Sequence, residues 1–388
     1  MHSLFATTPI RAHRAACALL ICALLVTSGL FGGCKGKKHE QQRKPQPAPK
    51  NLAGLDAMPR GVTAVIGFDA VELQRSWLVR RAVAQMFARD RDLEGRIDAL
   101  ISSCEIDLDG GISAIIIGLG QRSGTTRGTE EAVMVVTGTF VEAKLASCIG
   151  QRVASDGRTL VADKVDGRTL YGVVGAVGRP LASDETPADA GPADANANGP
   201  AKPAQPRAAG DEIWFGVAGS QTLVVATSKA WLIAAVGDGD KVMSEPVMAA
   251  LIERADRSAA IWAAGQMSPE VGVGLVTSAN GAIAAPPRAI VGSVHLRTGV
   301  KVAIGVEMTS PGDANVLKSQ LQSQMGLIAL AAQTYGLGAW LGKLGVDVEQ
   351  ETVYLRLALD DAEVRQILSR IDTPAESAQN PADNRGDP

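Results

Sequence analysis

Three polar segments interrupt the chain and decide which parts of it can build a hydrophobic core. They are residues 35–50, 179–210 and 373–388, and none contains an aromatic or β-branched aliphatic residue. Segments of this composition bury too little apolar surface to offset the conformational entropy lost on ordering. We therefore expect disorder there, and ordered structure in two stretches, 59–240 with its insert at 179–210, and 241–372.

An apolar run marks the N-terminus. Arg11 and Arg14 precede Ala15 to Phe31, and Gly32-Gly33-Cys34 follows directly. This basic, then apolar, then small-residue layout is typical of cleaved export signals. It resembles the type II signal peptide of bacterial lipoproteins, which implies that residues 1–33 are removed and that acyl chains on the cysteine anchor the protein in the cell envelope. An uncleaved signal anchor is the alternative, because the run is only slightly shorter than the ~20 residues of a membrane-spanning helix.

Charge is distributed unevenly along the chain. Residues 34–60 carry a net charge of +5, whereas residues 61–388 carry −10. We expect the basic segment 34–58 to be a disordered tether that is drawn to anionic lipid head groups, each cation contributing about 1 kcal/mol. Nucleic acid is not an expected partner, because the basic residues cluster in the tether alone. Lys35 follows the cysteine, and in the lipoproteins that the signal resembles this favours the outer over the inner membrane, facing the periplasm.

The two ordered stretches repeat one order of elements: strand, helix, hairpin, helix, strands and helix. In the first, strand Val62–Phe68 leads to a capping box, in which Asp69 caps a helix and Glu72 closes the box. In the second, Asp360 and Glu363 form the same box before the last helix. Adjacent hairpins separated by helices predict an α+β class, with two topologically similar units of antiparallel sheet and helices packed on one face.

The beginning of the ordered region carries a second resemblance. Met58-Pro59, a valine-rich strand and then Phe68-Asp69 entering a helix are similar to duplicated α+β domains of uncharacterised bacterial lipoprotein families. The resemblance implies a fold and brings no activity with it. Only 4% of the residues are aromatic although 46% are hydrophobic, so the predicted cores are aliphatic.

Cys104 and Cys148 are the two cysteines that follow Cys34. Each falls on the apolar face of a predicted helix, and an even number of cysteines in an oxidising compartment favours a disulfide. In the chain-entropy model, closing a loop of about 45 residues would stabilise the fold by about 4 kcal/mol. Two separate buried thiols that pack as small apolar side chains are the alternative.

Histidine limits the catalytic chemistry that the chain can perform. The expected mature chain keeps only His39, in the tether, and His295, in a predicted strand. A serine or cysteine nucleophile needs a positioned imidazole and zinc needs clustered ligands, so no enzyme of those classes and no metal or cofactor site is predicted. The acidic turns 107–110 and 238–240 lack EF-hand spacing, and the glycine-rich stretch 118–124 lacks the Lys-Ser/Thr of a phosphate loop.

These features predict a non-catalytic, lipid-anchored envelope protein that binds a partner protein of the envelope or acts as a scaffold. The first alternative is a carrier of a lipid or another apolar ligand, held between sheet and helices. The second is a hydrolase that uses two close carboxylates. A large, continuous and enclosed apolar cavity would favour the carrier, and two close carboxylates in a cleft would favour the hydrolase.

Overall fold

The computed structural model describes residues 54–104, 110–121, 130–155, 157–175, 212–278, 281–334 and 338–372. Twelve strands in these residues form one sheet. The strands are β1 (Val62–Asp69), β2 (Ile112–Gln121), β3 (Glu130–Gly138), β4 (Thr159–Val165), β5 (Arg168–Val174), β6 (Ile213–Val217), β7 (Thr222–Ala226), β8 (Ile261–Gln266), β9 (Ala289–His295), β10 (Val300–Glu307), β11 (Gly345–Glu349) and β12 (Thr352–Leu359).

Helices connect these strands. The described residues include two short 3-10 helices, Gly54–Ala57 and Val242–Ser244. The α-helices are α1 (Ala70–Arg75), α2 (Trp77–Arg89), α3 (Arg91–Cys104), α4 (Glu142–Val153), α5 (Lys229–Val236), α6 (Pro246–Arg254), α7 (Pro269–Ser278), α8 (Pro311–Thr334), α9 (Gly338–Leu341) and α10 (Asp361–Asp372).

The sheet is antiparallel throughout, in the order β11-β12-β10-β9-β8-β1-β2-β3-β7-β6-β5-β4. The first strands of the two halves, β1 and β8, pair at the centre, where Val65 lies opposite Ala264. Outward from this pair, the order β1-β2-β3-β7-β6 corresponds to β8-β9-β10-β12-β11, and the β4–β5 hairpin is an addition to the first half. The α+β class is confirmed, and both halves contribute to one continuous sheet.

Helices cover both faces of this sheet, whereas the sequence predicted helices on one face. Successive residues of a strand point to opposite faces. Val291 packs in a cluster with Ile252 of α6, whereas Val306, the cross-strand partner of Ile290, packs with Leu317 of α8. We call the two sides the α6 face and the α8 face. The central strands are apolar at consecutive positions, so burying them requires cover on both sides.

The core on the α6 face combines large indoles with glycines. A Cβ atom added to any of three strand glycines would overlap a tryptophan ring, so each glycine makes room for one indole. These pairs let a chain with few aromatic residues fill its interior, because each ring covers the backbone of a neighbouring strand. The three pairs are Gly67–Trp262, Gly120–Trp231 and Gly172–Trp214.

The ordered body begins before residue 59, which corrects the predicted end of the tether at residue 58. Gly54–Ala57 form a 3-10 helix, and the side chain of Met58 is fully buried. The Met58 carbonyl also accepts a hydrogen bond from the amide of Val242 at 2.9 Å. Met58 packs where a Cβ on Gly118 would lie, so the end of the predicted tether is part of the core.

Candidate ligand-binding site

A cavity of about 710 Å³ lies between helices α1–α3 and strand β2. It opens on the α8 face. Its floor includes Ile115, which lies opposite Phe68 in the β1–β2 pair, and both side chains point to the α8 face. The volume is within the range of about 300–1,000 Å³ that is typical of small-molecule pockets. Most of its lining is apolar, and the larger apolar side chains are Leu73, Val79, Val83, Phe87, Ile112 and Ile115.

Two helix breaks position the walls of this cavity. Ser76 adopts an extended backbone, which ends α1 and lets α2 leave in a new direction. Asp90 then separates α2 from α3, and its Oδ1 atom accepts a hydrogen bond from the amide of Leu93 at 2.9 Å. These two breaks divide one helical stretch into α1, α2 and α3.

Helix α2 forms the roof of the cavity and is barely packed against the protein. Val79, Val83 and Phe87 recur every four residues and so face the cavity together. None of the thirteen residues of α2 is buried, and Val83 and Met86 are 39% and 41% exposed. The described residues therefore bury the apolar side of α2 only in part.

Charged groups lie at the margins of the cavity and are engaged with the protein. Arg80 donates from Nη1 to the carbonyls of Gln74 and Arg75, at 3.1 and 3.0 Å. Arg91 and Glu94 approach each other to 3.7 Å in the first turn of α3. The interior of the site is therefore suited to an apolar chain, with polar groups only where it meets solvent.

Both ends of the α2–α3 pair are fastened. At the start of α2, the indole Nε1 of Trp77 donates to Oδ1 of Asp361 at 2.9 Å, and the guanidinium of Arg365 lies 4.2 Å from the indole centroid. At the end of α3, Cys104 lies at disulfide distance from Cys148 of α4, with 5.2 Å between the Cα atoms. The structure thus brings together the two cysteines that the sequence paired, and both are buried.

Exposed large apolar side chains gather on the same side of the sheet as the cavity. Among the described residues, seven of the nine such side chains lie on the α8 face or on helices that cover it. Exposed apolar side chains that are scattered over one side of a sheet do not by themselves mark a binding surface. The seven are Val83, Met86, Val271, Val273, Ile290, Ile304 and Ile328.

The corresponding place in the second half is filled. Between β8 and β9, Ile283 is buried in a cluster with Met308 and Leu317. The two halves share a strand order, but this cavity is found only in the first half of the described chain. One chain would accordingly bind one ligand at this site.

His295 lies outside this region, on the α6 face of β9. Its Nε2 atom is 2.9 Å from Oδ2 of Asp256. The other oxygen of this carboxylate, Oδ1, accepts a hydrogen bond from the Ser258 hydroxyl at 2.6 Å. That hydroxyl, followed by the Ser258 amide and His295, holds the pKa of Asp256 below its usual value against the effect of burial. Serine and histidine both contact the carboxylate and not each other, so this trio lacks the serine–imidazole contact of a nucleophilic site.

The carboxylates on the open part of the α6 face are paired with arginines. Arg288 lies 2.6 Å from Glu351 and 3.8 Å from Glu307, and Arg356 lies 3.3 Å from Asp347. Carboxylates held as counter-ions do not form the acid and base pair that a glycoside hydrolase needs.

The described parts of the other sequence motifs form no further site. Gly118 and Gly120 belong to strand β2, and Asp240 accepts a hydrogen bond from Arg60 at 3.2 Å. Within the described ranges, no group of three or more His, Cys, Asp or Glu side chains is placed to hold a metal ion. Cys34, His39, the turn residues 107–109 and the insert 179–210 lie outside the described residues.

Comparisons with known proteins leave the family open. The chain matches no family model and no curated protein. Crystal form I of TP0453, a bacterial protein, aligns with 82% of this chain and 97% of its own length, at 11% identity and a TM-score of 0.38. A similarity of that size carries no argument. Among the helices of the described part, none is both long and apolar enough to cross a bilayer.

The cavity is the site that sequence reasoning missed. The spacing of Val79, Val83 and Phe87 was a usable signal, since it predicts an apolar stripe on α2. The sequence does not show that this stripe faces empty space, because the space depends on where α1 and α3 turn.

Proposed function

We propose that the protein is a lipid-anchored, non-catalytic binding protein of the bacterial cell envelope that carries an apolar ligand beneath α2. One observation carries the proposal: a cavity of about 710 Å³ whose walls are mainly apolar and whose charged groups are at the margin. The pocket is open to solvent, so its apolar lining, and not enclosure, is what supports the carrier over the scaffold. An acyl chain or a similar hydrocarbon fits such walls, because its transfer from water contributes about 0.8 kcal/mol per buried methylene group.

The sequence supports the location. Acylation of Cys34 would hold the chain at a membrane, and the basic residues that follow would keep the tether near anionic lipid. Nineteen residues lie between Cys34 and Gly54, the first described residue, and a chain of that length spans at most about 70 Å. The cavity would then lie within reach of the lipids from which it is filled. Lys35 favours the outer membrane in the lipoproteins that the signal resembles.

Docking of an envelope protein is the second candidate. Helices α5 and α6 pack on the α6 face, whereas the described helices that follow them, α7 to α10, pack on the α8 face. Strands β10, β12 and β11 therefore expose a polar sheet surface that includes Lys301, Arg356 and Glu349. A partner with a polar, charge-balanced surface would cover it.

A photoactivatable fatty acid tests the carrier in the protein's own membranes. After irradiation, mass spectrometry should find the label in peptides from α1–α3 and β2. Ala84 lines the cavity and Ala82 lies on the exposed side of the same helix. Ala84→Phe should reduce the labelling at least tenfold, and Ala82→Phe should leave it unchanged. Labelling that is insensitive to Ala84→Phe would contradict the proposal.

Intact mass tests the anchor. Protein extracted from its own membranes should begin at Cys34 and carry the added mass of acyl chains. A chain that retains residues 1–33 without acylation would identify a signal anchor instead.

A further inference from the structure

The α2–α3 pair, residues 77–104, forms a flap over the cavity. Its roof helix α2 has no buried side chain, so the flap gains little from packing between its ends. The start of the flap is fixed by the hydrogen bond between Trp77 and Asp361 at 2.9 Å, and the end by the Cys104–Cys148 pair. Contacts of Trp77, Leu78 and Arg80 therefore hold the start of the flap, and its end is held by a covalent bond that can be reversibly broken.

A surface pocket leads to the sulfur atoms. It measures about 330 Å³ and is lined by Ser103, Lys144, Ser147 and Gln151 beside the two cysteines. The cysteines themselves are only 6% and 5% exposed, so a reductant would approach them through this pocket. Lys144 is a cation on its wall, and a nearby cation lowers the pKa of a thiol and favours the thiolate that leaves when the bond is cleaved.

We infer that the Cys104–Cys148 pair is a thiol–disulfide switch that sets how firmly the flap closes on the ligand. The inference rests on the proposed function, because the cavity is the ligand site of that proposal. The flap joins the switch directly to the site: Arg91 and Glu94 of α3 lie on the cavity wall, and Cys104 is the last residue of the same helix.

The chemistry requires a dithiol reductant, such as the reduced form of an envelope thiol–disulfide oxidoreductase. One thiolate of the reductant attacks a sulfur of the pair, forming a mixed disulfide and releasing the other cysteine as a thiolate. The second thiol of the reductant then displaces the remaining cysteine. The pair gains two electrons and two protons, and the reductant leaves with its own disulfide. The flap then loses its covalent link to α4, while the contacts of Trp77 continue to hold its start.

The photoactivatable fatty acid tests the switch in membranes that contain the whole protein. Treatment with dithiothreitol, followed by thiol counting to verify reduction, should lower the labelling of α1–α3 peptides at least fivefold. Trypsin should also cleave after Arg89 and Arg91 at least fivefold faster, because both lie at the α2–α3 junction. A variant with both Cys104→Ser and Cys148→Ser should match the reduced protein and no longer respond to dithiothreitol.

The outcomes separate the switch from the proposed function. Labelling and cleavage that are unchanged in fully reduced wild-type protein would overturn the switch and leave the carrier intact. Absence of labelling in both redox states would overturn the carrier. Faster cleavage on reduction would then still support the opening of the flap, and unchanged cleavage would overturn both. The wild-type measurement needs no substitution, so it decides the matter even if the double variant does not fold.

Discussion

Oε2 of Glu72 accepts a hydrogen bond from Nε of Arg297 at 2.9 Å, although one residue belongs to helix α1 of the first half and the other to the β9–β10 turn of the second. The glutamate is 6% exposed, and its Oε1 atom also receives the amide of Leu296 at 3.4 Å. A buried carboxylate thus joins the two halves of the sheet. The sequence had predicted that this carboxylate closes a capping box with Asp69.

Removing Arg297 should therefore destabilise the protein. Arg297→Ala leaves the Glu72 carboxylate buried with a weak partner, which we expect to lower the free energy of unfolding by about 1–3 kcal/mol. Urea denaturation measures the loss. Adding Glu72→Gln to that variant should restore part of it, since a neutral amide is less costly to bury. An Arg297→Ala variant as stable as wild type would show that solvent already satisfies the carboxylate.

The bond between Trp77 and Asp361 should contribute a measurable coupling energy. We expect a double-mutant cycle with Trp77→Phe and Asp361→Ala to give about 1 kcal/mol, because Asp361→Ala removes the acceptor of the bond and Trp77→Phe removes its N–H donor. Trp77→Phe keeps a ring beneath Arg365, so most of the packing persists. Additive effects of the two substitutions in urea denaturation would mean that the bond does not fasten the flap.

A methyl group added at Gly67 should destabilise the protein, because Gly67 packs against Trp262. A Cβ atom on Gly67 would overlap the indole, so Gly67→Ala should lower the free energy of unfolding by about 1–3 kcal/mol. Gly95 in α3 is the matched control, since nothing lies within 4 Å of its added Cβ. There the same substitution should raise stability by about 0.5–1 kcal/mol, because alanine favours the helix. Thermal unfolding compares the two.

Lowering the pH should reduce the contribution of Asp256 to the free energy of unfolding. The Ser258 hydroxyl, its amide and His295 lower the pKa of this carboxyl in the folded state. Because the pKa is lowered, the ionised carboxylate stabilises the fold at every pH above its unfolded pKa of about 3.9. This stabilisation is lost as the pH falls through the lower pKa of the folded state. Because the side chain is 49% exposed, we expect only a few tenths of a kcal/mol.

The pH dependence of unfolding checks this sign. The stability difference between wild type and Asp256→Asn should shrink as the pH falls below about 4. Ser258→Ala should reduce the difference, since it removes the largest cause of the shift. A difference that grows below about pH 4 would contradict the assignment.

Local signals in the sequence were sufficient for several elements. Asp360 and Glu363 form the predicted reciprocal box, with bonds of 2.9 and 3.0 Å. These depend on groups three residues apart, which a sequence reveals directly. Helix α6 was missed, although Pro246 stands at its first position. Asp69 does cap α1, at 2.8 Å, but Glu72 does not return a bond to it, because Arg297 lies close enough in space to take the carboxylate.

By itself, the sequence determined the α+β class, the repeated order of elements and the two cysteines that meet, since these follow from periodicity, capping residues and composition. Only the tertiary structure decided that β1 pairs with β8 to make one sheet, that helices cover both of its faces, and that α2 lies over an unfilled space. Strand pairing and cavities depend on contacts between residues distant along the chain. Such contacts are set by the packing of whole elements, which no local pattern specifies.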